Sequence, residues 1–236
     1  MRLNKFLAKA GVASRRESDR LIQEATTIVN GVLQTDPAFD VSPNDSIYFN
    51  GKRVTIDQHL SVIALNKPKG YITTASDPKN RKTVNELVPQ NPRLFTIGRL
   101  DRNTTGLLLF TNDGDLAQEL MLPKNKVSRI YDVEINQSFN QTEMTKIDRG
   151  IYIGWGQKGK ANIIRQIPRK KSTIVRLELH QGKNREIRRI MNKMNRKVFS
   201  LHRISYGPID VKGLSFGQWR TLSNEEINLL RKSQNK

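Results

Sequence analysis

Apolar positions in the first sixty residues follow a helical period and then a strand pattern. Leu3, Phe6, Leu7 and Ala10 recur at helical spacing, and Gly11 ends that helix. Ser14 stands where an N-cap belongs, with Glu17 three residues on to complete a capping box. The helix it opens carries Arg15, Arg16 and Arg20 beside the apolar Leu21 and Ile22. Residues 26–29 are β-branched and lead into Asn30-Gly31, a strong hairpin signal; 45–49 followed by Asn50-Gly51 predict a further strand and turn. A boundary falls near 55–60. Past it, 61–65 read as a strand, 66–70 as a turn and 107–110 as a short central strand. Residues 129–135, 174–179 and 196–203 also read as strands, and 115–121 and 186–194 as helices. The pattern predicts an α+β chain: a small α/β unit over residues 1–58, then a mixed, mostly antiparallel sheet with flanking helices over 59–236.

Charge narrows the partners. The 236 residues hold 41 Lys+Arg against 22 Asp+Glu, a net charge of +19 and a pI near 10.4. Such a surplus favours polyanions. No apolar run exceeds the four residues of 107–110, far below the ~20 that span a bilayer. The first residues are helical and basic without the apolar segment of a signal peptide. The chain has no cysteine, which excludes disulfides, thiolate catalysis and cysteine metal sites. His59, His180 and His202 lack metal-ligand spacing. The expectation is a soluble, cytoplasmic protein that needs neither metal nor cofactor and meets RNA or DNA. Six of the eight basic residues before residue 59 lie within 2–20, and 158–203 hold fifteen basic residues with only Glu178 and Glu186 as acids. Lys158, Lys160, Arg169, Lys170 and Lys171 gather around Gly156, Gly159 and Pro168, which predicts a mobile basic loop. Trp155 and Trp219 read as packing residues.

Candidate chemistry concentrates in residues 98–109, Gly-Arg-Leu-Asp-Arg-Asn-Thr-Thr-Gly-Leu-Leu-Leu. Asp101 sits between Arg99 and Arg102 on a turn before a buried-type strand, and rigid apolar support under a charged loop is how a scaffold holds a reacting group. The residues alone leave open a plainer reading, in which Asp101 caps the turn or pairs with a neighbouring arginine.

Gly98 to Gly114 closely resembles the GRLDxxTxGLLLxTNDG signature of the RsuA/RluB-like family of bacterial rRNA pseudouridine synthases. Four further stretches match in order. Residues 64–70 resemble the NKPxG segment, Ile130-Tyr131-Asp132-Val133 the K-x-Y-x-V strand with Arg129-Ile130 departing from it, residues 182–191 the G-x-N-R-Q-I-R-R-M segment, and Leu201-His202-Arg203 the late L-x-R strand. The first 58 residues resemble an S4-like RNA-binding domain, with Ser14-Arg15-Arg16 and Val29-Asn30-Gly31 in place, but Ala25-Thr26-Thr27 stands where a Glu-Gly-x turn is usual. The resemblance covers nearly the whole chain. It implies isomerisation of one rRNA uridine with Asp101 as the catalytic carboxylate, Arg188 pairing with it and Tyr131 stacking on the base. It further implies Leu201, Arg185 and Asn184 in the substrate pocket and Arg99 at a phosphate. Arg2, Lys5, Arg15, Arg16, Arg20, Lys158, Lys160, Arg169, Lys170, Lys171, Lys183 and Arg189 are the expected RNA contacts.

Ribosomal RNA or a pre-ribosomal particle is the implied partner, large-subunit rRNA is favoured over small-subunit rRNA, and a monomer is expected. The alternatives are a small-subunit substrate and a non-catalytic RNA-binding assembly factor. A methyltransferase would need a Gly-rich loop after an early strand, and the chain shows none.

Overall fold

The helix and turn signals of the first residues organise a small unit. In the computed structural model, which describes residues 1–57, 59–75 and 77–233, α1 spans Leu3–Lys9 and α2 spans Arg15–Gln23. Ser14 Oγ accepts from Glu17 N at 3.2 Å as expected of a cap. The Glu17 carboxylate, however, turns to Arg20 on its own helix, because an ion pair one turn away competes with the backbone donor at Ser14. Strands β1 (Thr27–Val29), β2 (Val32–Gln34), β3 (Ile47–Phe49) and β4 (Lys52–Arg53) form an antiparallel sheet in the order β2-β1-β3-β4. Asn30-Gly31 and Asn50-Gly51 close its two hairpins with positive φ at all four residues, the geometry that suits twisted two-residue turns. Leu3, Leu7, Ile22, Val29, Val41 and Ile47 make the core. Residues 1–61, with 91–94 and 112–114, form this compact unit; Gln58, the expected end of the first domain, lies outside the described residues.

The rest of the chain is built on a nine-stranded sheet. Its strands are β5 (Val62–Lys67), β6 (Phe95–Ile97), β7 (Thr105–Thr111), β8 (Arg129–Ile135), β11 (Asn162–Pro168), β12 (Thr173–Leu179), β13 (Val198–Tyr206), β14 (Ile209–Asp210) and β15 (Trp219–Thr221). A separate hairpin joins β9 (Ile151–Gly154) to β10 (Gln157–Gly159). The main order is β11-β12-β8-β13-β7-β5-β15, with β6 on β7 and β14 on β13. All pairs are antiparallel except β7 with β13. Helices α3 (Gly114–Met121), α4 (Gln141–Arg149), α5 (Glu186–Lys193) and α6 (Asn224–Lys232) complete the unit. The fold is α+β, with a mixed and mostly antiparallel sheet.

Two departures from the sequence reading have local causes. Asn66 and Lys67 stay in β5 instead of opening the turn, because Asn66 Nδ2 donates to Leu214 O at 2.7 Å and Lys67 is buried. The stretch around Gly156 and Gly159 forms the β9–β10 hairpin rather than an irregular loop. A Cβ on Gly159 would lie 2.8 Å from Ile190 Cγ1, so this glycine is there for close packing on α5.

Candidate active site

Asp101 rides on residues 98–104, which connect β6 to β7, and this loop is anchored from several sides. Leu100 is buried, and Thr73 Oγ1 both donates to Leu100 O at 2.9 Å and accepts from Leu100 N at 3.3 Å. Thr104 N closes the turn on Asp101 O at 3.0 Å. Beneath it lies the wholly buried Lys67, whose ammonium donates to Thr104 O at 2.9 Å, Pro68 O at 3.1 Å and Asp101 O at 3.2 Å. These carbonyls replace the water that burial removes. Burial pushes the Lys67 pKa down to about 8, while the Asp101 charge opposes the shift.

The loop leads into the one parallel seam of the sheet. At Gly106, with φ of 103°, an added Cβ would collide with Arg203 O and lie 2.6 Å from Arg203 N. Only glycine lets β7 approach β13 this closely.

The partners of Asp101 come from the start of α5. Glu186 is buried and accepts from Gln181 Nε2 at 2.8 Å, Lys183 N at 3.0 Å and Lys160 N at 3.3 Å, which organises the preceding turn. Arg185, the N-cap, is held in a left-handed conformation at φ 47° and reaches Asp101 Oδ2 with Nη1 at 3.1 Å. Arg188, one turn on, brings Nε to 3.5 Å of the same oxygen and Nη2 to 3.5 Å of Asn103 O and Thr104 Oγ1. Burial pushes the Arg188 pKa below its ordinary value, and Asp101 opposes this. The sequence reading singled out Arg188; the structure puts both guanidiniums on the carboxylate, with the shorter contact from Arg185.

Asp101, Arg99, Tyr131, Lys183, Asn184, Arg185, Arg188 and Leu201 all line one cavity of about 810 Å³. That is the size of a site that encloses a small organic group. Its floor holds residues the sequence reading gave no role. The guanidiniums of Arg129 and Arg203 both lie over the Tyr206 ring, 4.7 and 5.2 Å from its centroid. Arg203 Nε donates to Leu107 O at 2.6 Å, Nη1 lies 3.5 Å from the Tyr131 hydroxyl, and Nη2 is buried without a partner. Among the described residues no carboxylate pairs with Arg129 or Arg203. The late L-x-R pattern contained Arg203, but nothing in it signalled a buried cation.

The expected RNA-contacting residues are dispersed. Arg189 is spent internally: it donates to Gly154 O at 2.7 Å, Ile153 O at 2.9 Å, Gln157 Oε1 at 3.0 Å and Asn184 O at 3.2 Å. Lys158 and Lys160 are exposed on and just after β10. Arg169, Lys170 and Lys171 form the turn between β11 and β12, at the Thr173 end of β12. The cavity is at the Leu179 end, roughly 20 Å along a seven-residue strand. Arg2, Arg15, Arg16 and Arg20 are exposed in the smaller unit, where Lys5 is half-buried and Arg20 is paired with Glu17 and Glu24. Trp155 and Trp219 are exposed rather than packed. No helix among the described residues is long and apolar enough to cross a membrane. Among the same residues no three His, Asp or Glu side chains gather as metal ligands.

Comparison with known proteins defines the class: this is a pseudouridine synthase, an isomerase that acts on RNA. The chain belongs to the RNA pseudouridylate synthase family, whose profile matches residues 61–193, and an S4 domain matches residues 1–47. It is 36% identical over 233 residues to the ribosomal large subunit pseudouridine synthase B of Bacillus subtilis, covering 98% of this chain and 95% of that one. An RNA pseudouridine synthase of Aquifex aeolicus is 37% identical over 238 residues, covering 99% and 94%. Among solved structures, a pseudouridylate synthase superposes with a TM-score of 0.70 at 26% identity, covering 98% of this chain and 99% of that one.

Proposed function

We propose that this enzyme isomerises a uridine of large-subunit rRNA, with Asp101 acting on a nucleotide flipped into the cavity. The observation that carries the reading is the Asp101 carboxylate, flanked by Arg185 and Arg188 on a cavity wall shared with Tyr131 and Leu201. Isomerisation breaks the N1–C1′ bond, forms C5–C1′, releases the C5 proton and leaves a proton on N1. Composition and oxidation state are unchanged, so the balance calls for no co-reactant. It does call for a nucleophile or anion beside the sugar or ring, which is the part assigned to Asp101. Arg188, the less exposed of the two arginines, aims the carboxylate; Arg185, with 54% of its side chain exposed against 21%, is free to share a phosphate. Tyr131 faces the base, Leu201 and Asn184 shape the pocket, and Arg99 and Lys183 take adjacent phosphates.

Residues 1–58 dock the structured RNA through Arg2, Lys5, Arg15, Arg16 and Arg20, and residues 59–236 carry out the reaction. Extruding the base costs a few kcal/mol, which phosphate contacts offset. Lys158, Lys160, Arg169, Lys170 and Lys171 add contacts on separate parts of the catalytic unit. The large-subunit assignment is supported by the name of the Bacillus subtilis relative. The protein works as a cytoplasmic monomer on rRNA or a pre-ribosomal particle.

Pseudouridine mapping of both rRNAs tests this reading, in cells lacking the protein and complemented with wild type or Asp101→Asn. One large-subunit site should vanish and return only with wild type. A lost small-subunit site would move the substrate, and rescue by Asp101→Asn would remove the carboxylate from the chemistry.

A further inference from the structure

The β9–β10 hairpin turns on Trp155-Gly156, with Trp155 in a left-handed conformation at φ 53° and 76% exposed. An indole this exposed forgoes the burial that large aromatics normally obtain. It is nevertheless held in place. One face lies on the Arg189 guanidinium, 4.4 Å from the ring centroid, and that guanidinium is fixed by its four hydrogen bonds to Ile153, Gly154, Gln157 and Asn184. The hairpin is packed onto α5 through buried Ile153 and Ile190. The surroundings are cationic: Lys158 and Lys160 are exposed nearby, and the Lys183 ammonium donates to Lys158 O. Tyr152, 57% exposed, adds a second aromatic on the same hairpin.

A fixed aromatic plane among lysines is the arrangement that binds single-stranded nucleic acid, because every base offers a π-face and the backbone offers phosphates. The cavity is close. Arg189 Nη1 bonds the carbonyl of Asn184, a cavity residue, which places the indole centre within roughly 10 Å of that carbonyl. About three stacked nucleotides span such a distance.

We propose that the outer face of Trp155 stacks on an unpaired base of the RNA substrate, a few nucleotides from the uridine held at Asp101. The proposal rests on the cavity being the uridine site. Phosphates alone would be served by the lysines; the indole adds recognition of a base.

The test compares wild type with Trp155→Ala, Trp155→Phe and Trp219→Phe, using a large-subunit rRNA transcript and inorganic polyphosphate as probes. Trp155→Ala should raise the transcript Kd about 5- to 150-fold, as expected for one lost base stack, and raise KM with kcat retained. Trp155→Phe should restore most of the affinity. Polyphosphate, which has charge and no bases, should bind all four proteins alike. Since the chain has two tryptophans, the transcript should quench the emission of Trp219→Phe, where Trp155 is the remaining indole, far more than that of Trp155→Phe. Unchanged transcript binding by Trp155→Ala, or equal weakening toward both probes, would overturn the stacking role. If wild type binds and modifies the transcript while the Trp155 variants match it, only the platform falls. If wild type binds the transcript without modifying it and Trp155→Ala still weakens that binding, the platform stands and the reading of the cavity falls instead.

Discussion

In the smaller unit Arg15 and Arg16 stand exposed on a helix over a compact apolar core, whereas the larger unit holds Lys67, Arg129 and Arg203 buried and Arg188 half-buried. The same kinds of charge therefore have different physics. An exposed guanidinium is hydrated, mobile and screened by salt, and it adds binding energy in small, similar increments. A buried one must have its partners in place before the substrate arrives, and removing a partner leaves an uncompensated charge or donor. The larger unit accordingly depends on geometry, and the smaller one on the number of charges.

The sharpest way to break the geometric side is at the seam beneath the Asp101 loop. Gly106→Ala puts a Cβ against the Arg203 backbone, which leaves β7 and β13 no room to pair. The larger unit should lose its cooperative unfolding transition or be destabilised by more than about 4 kcal/mol; a variant melting like wild type would show that the seam can open. Next comes Arg188→Met, expected to lower the single-turnover rate about 100-fold or more, with Arg185→Met falling less because Arg185 is the more exposed. Arg188→Lys should not recover the rate, since one ammonium cannot span Asp101 and Thr104 together. Equal losses at Arg185 and Arg188 would erase the distinction drawn between them.

Why some of this was legible in the sequence follows from how the parts are distributed along it. Asp101, its flanking arginines and the strand that supports them are contiguous, as are Ser14 with α2 and the two Asn-Gly turns. The Lys67 cage was not legible, because apart from the neighbouring Pro68 O its acceptors are backbone carbonyls more than thirty positions away, and a carbonyl leaves no mark on residue identity. Arg203 is similar: its contacts to Leu107 O and the Tyr131 hydroxyl arise only when β13 meets β7 and β8. Gly156 and Gly159 suggested a loose loop because a glycine that relieves crowding and a glycine that permits motion look alike in one sequence. Trp155 was misjudged for a related reason. Burial is the common fate of an indole, and only the Arg189 platform shows why this one stays outside.

Lys67 offers a pH test of the buried side. Its folded pKa of about 8 lies below the ordinary value of 10.5, so between those limits the folded state binds fewer protons than the unfolded one. Stability from this group therefore rises as pH increases from about 8 to 10.5, and is flat below. The unfolding free energy of wild type minus that of Lys67→Met should climb across that window by up to about 3 kcal/mol. A flat difference would mean that the carbonyl cage fully offsets the loss of water. On the exposed side, changing Arg15 and Arg16 together to Gln should weaken rRNA binding roughly tenfold at moderate salt. It should also flatten the log–log salt slope by about 1.4–1.8, with the rate at saturating RNA kept. A fall in that saturated rate would show that these charges position the substrate as well as hold it.

The smallest effect expected lies at the end of α2. Ala25 adopts φ of 58°, the left-handed conformation that commonly terminates a helix and in which a Cβ is unfavourable. The family resemblance places a Glu-Gly-x turn at residues 25–27, and Ala25 opens this turn in a conformation that glycine adopts more readily. Ala25→Gly removes the clash but gives the unfolded chain more freedom to lose, so the two terms oppose each other. The steric term is the larger, and the variant should be more stable by about 0.5–1 kcal/mol. Chemical denaturation of the full chain, followed by a probe in residues 1–57, would read this directly. Catalysis and RNA affinity should not move, because Ala25 follows α2 without belonging to it and is not one of the residues that line the cavity. Loss of stability would instead mean that contacts of the Ala25 methyl outweigh its backbone strain, so that this helix end is held by packing after all.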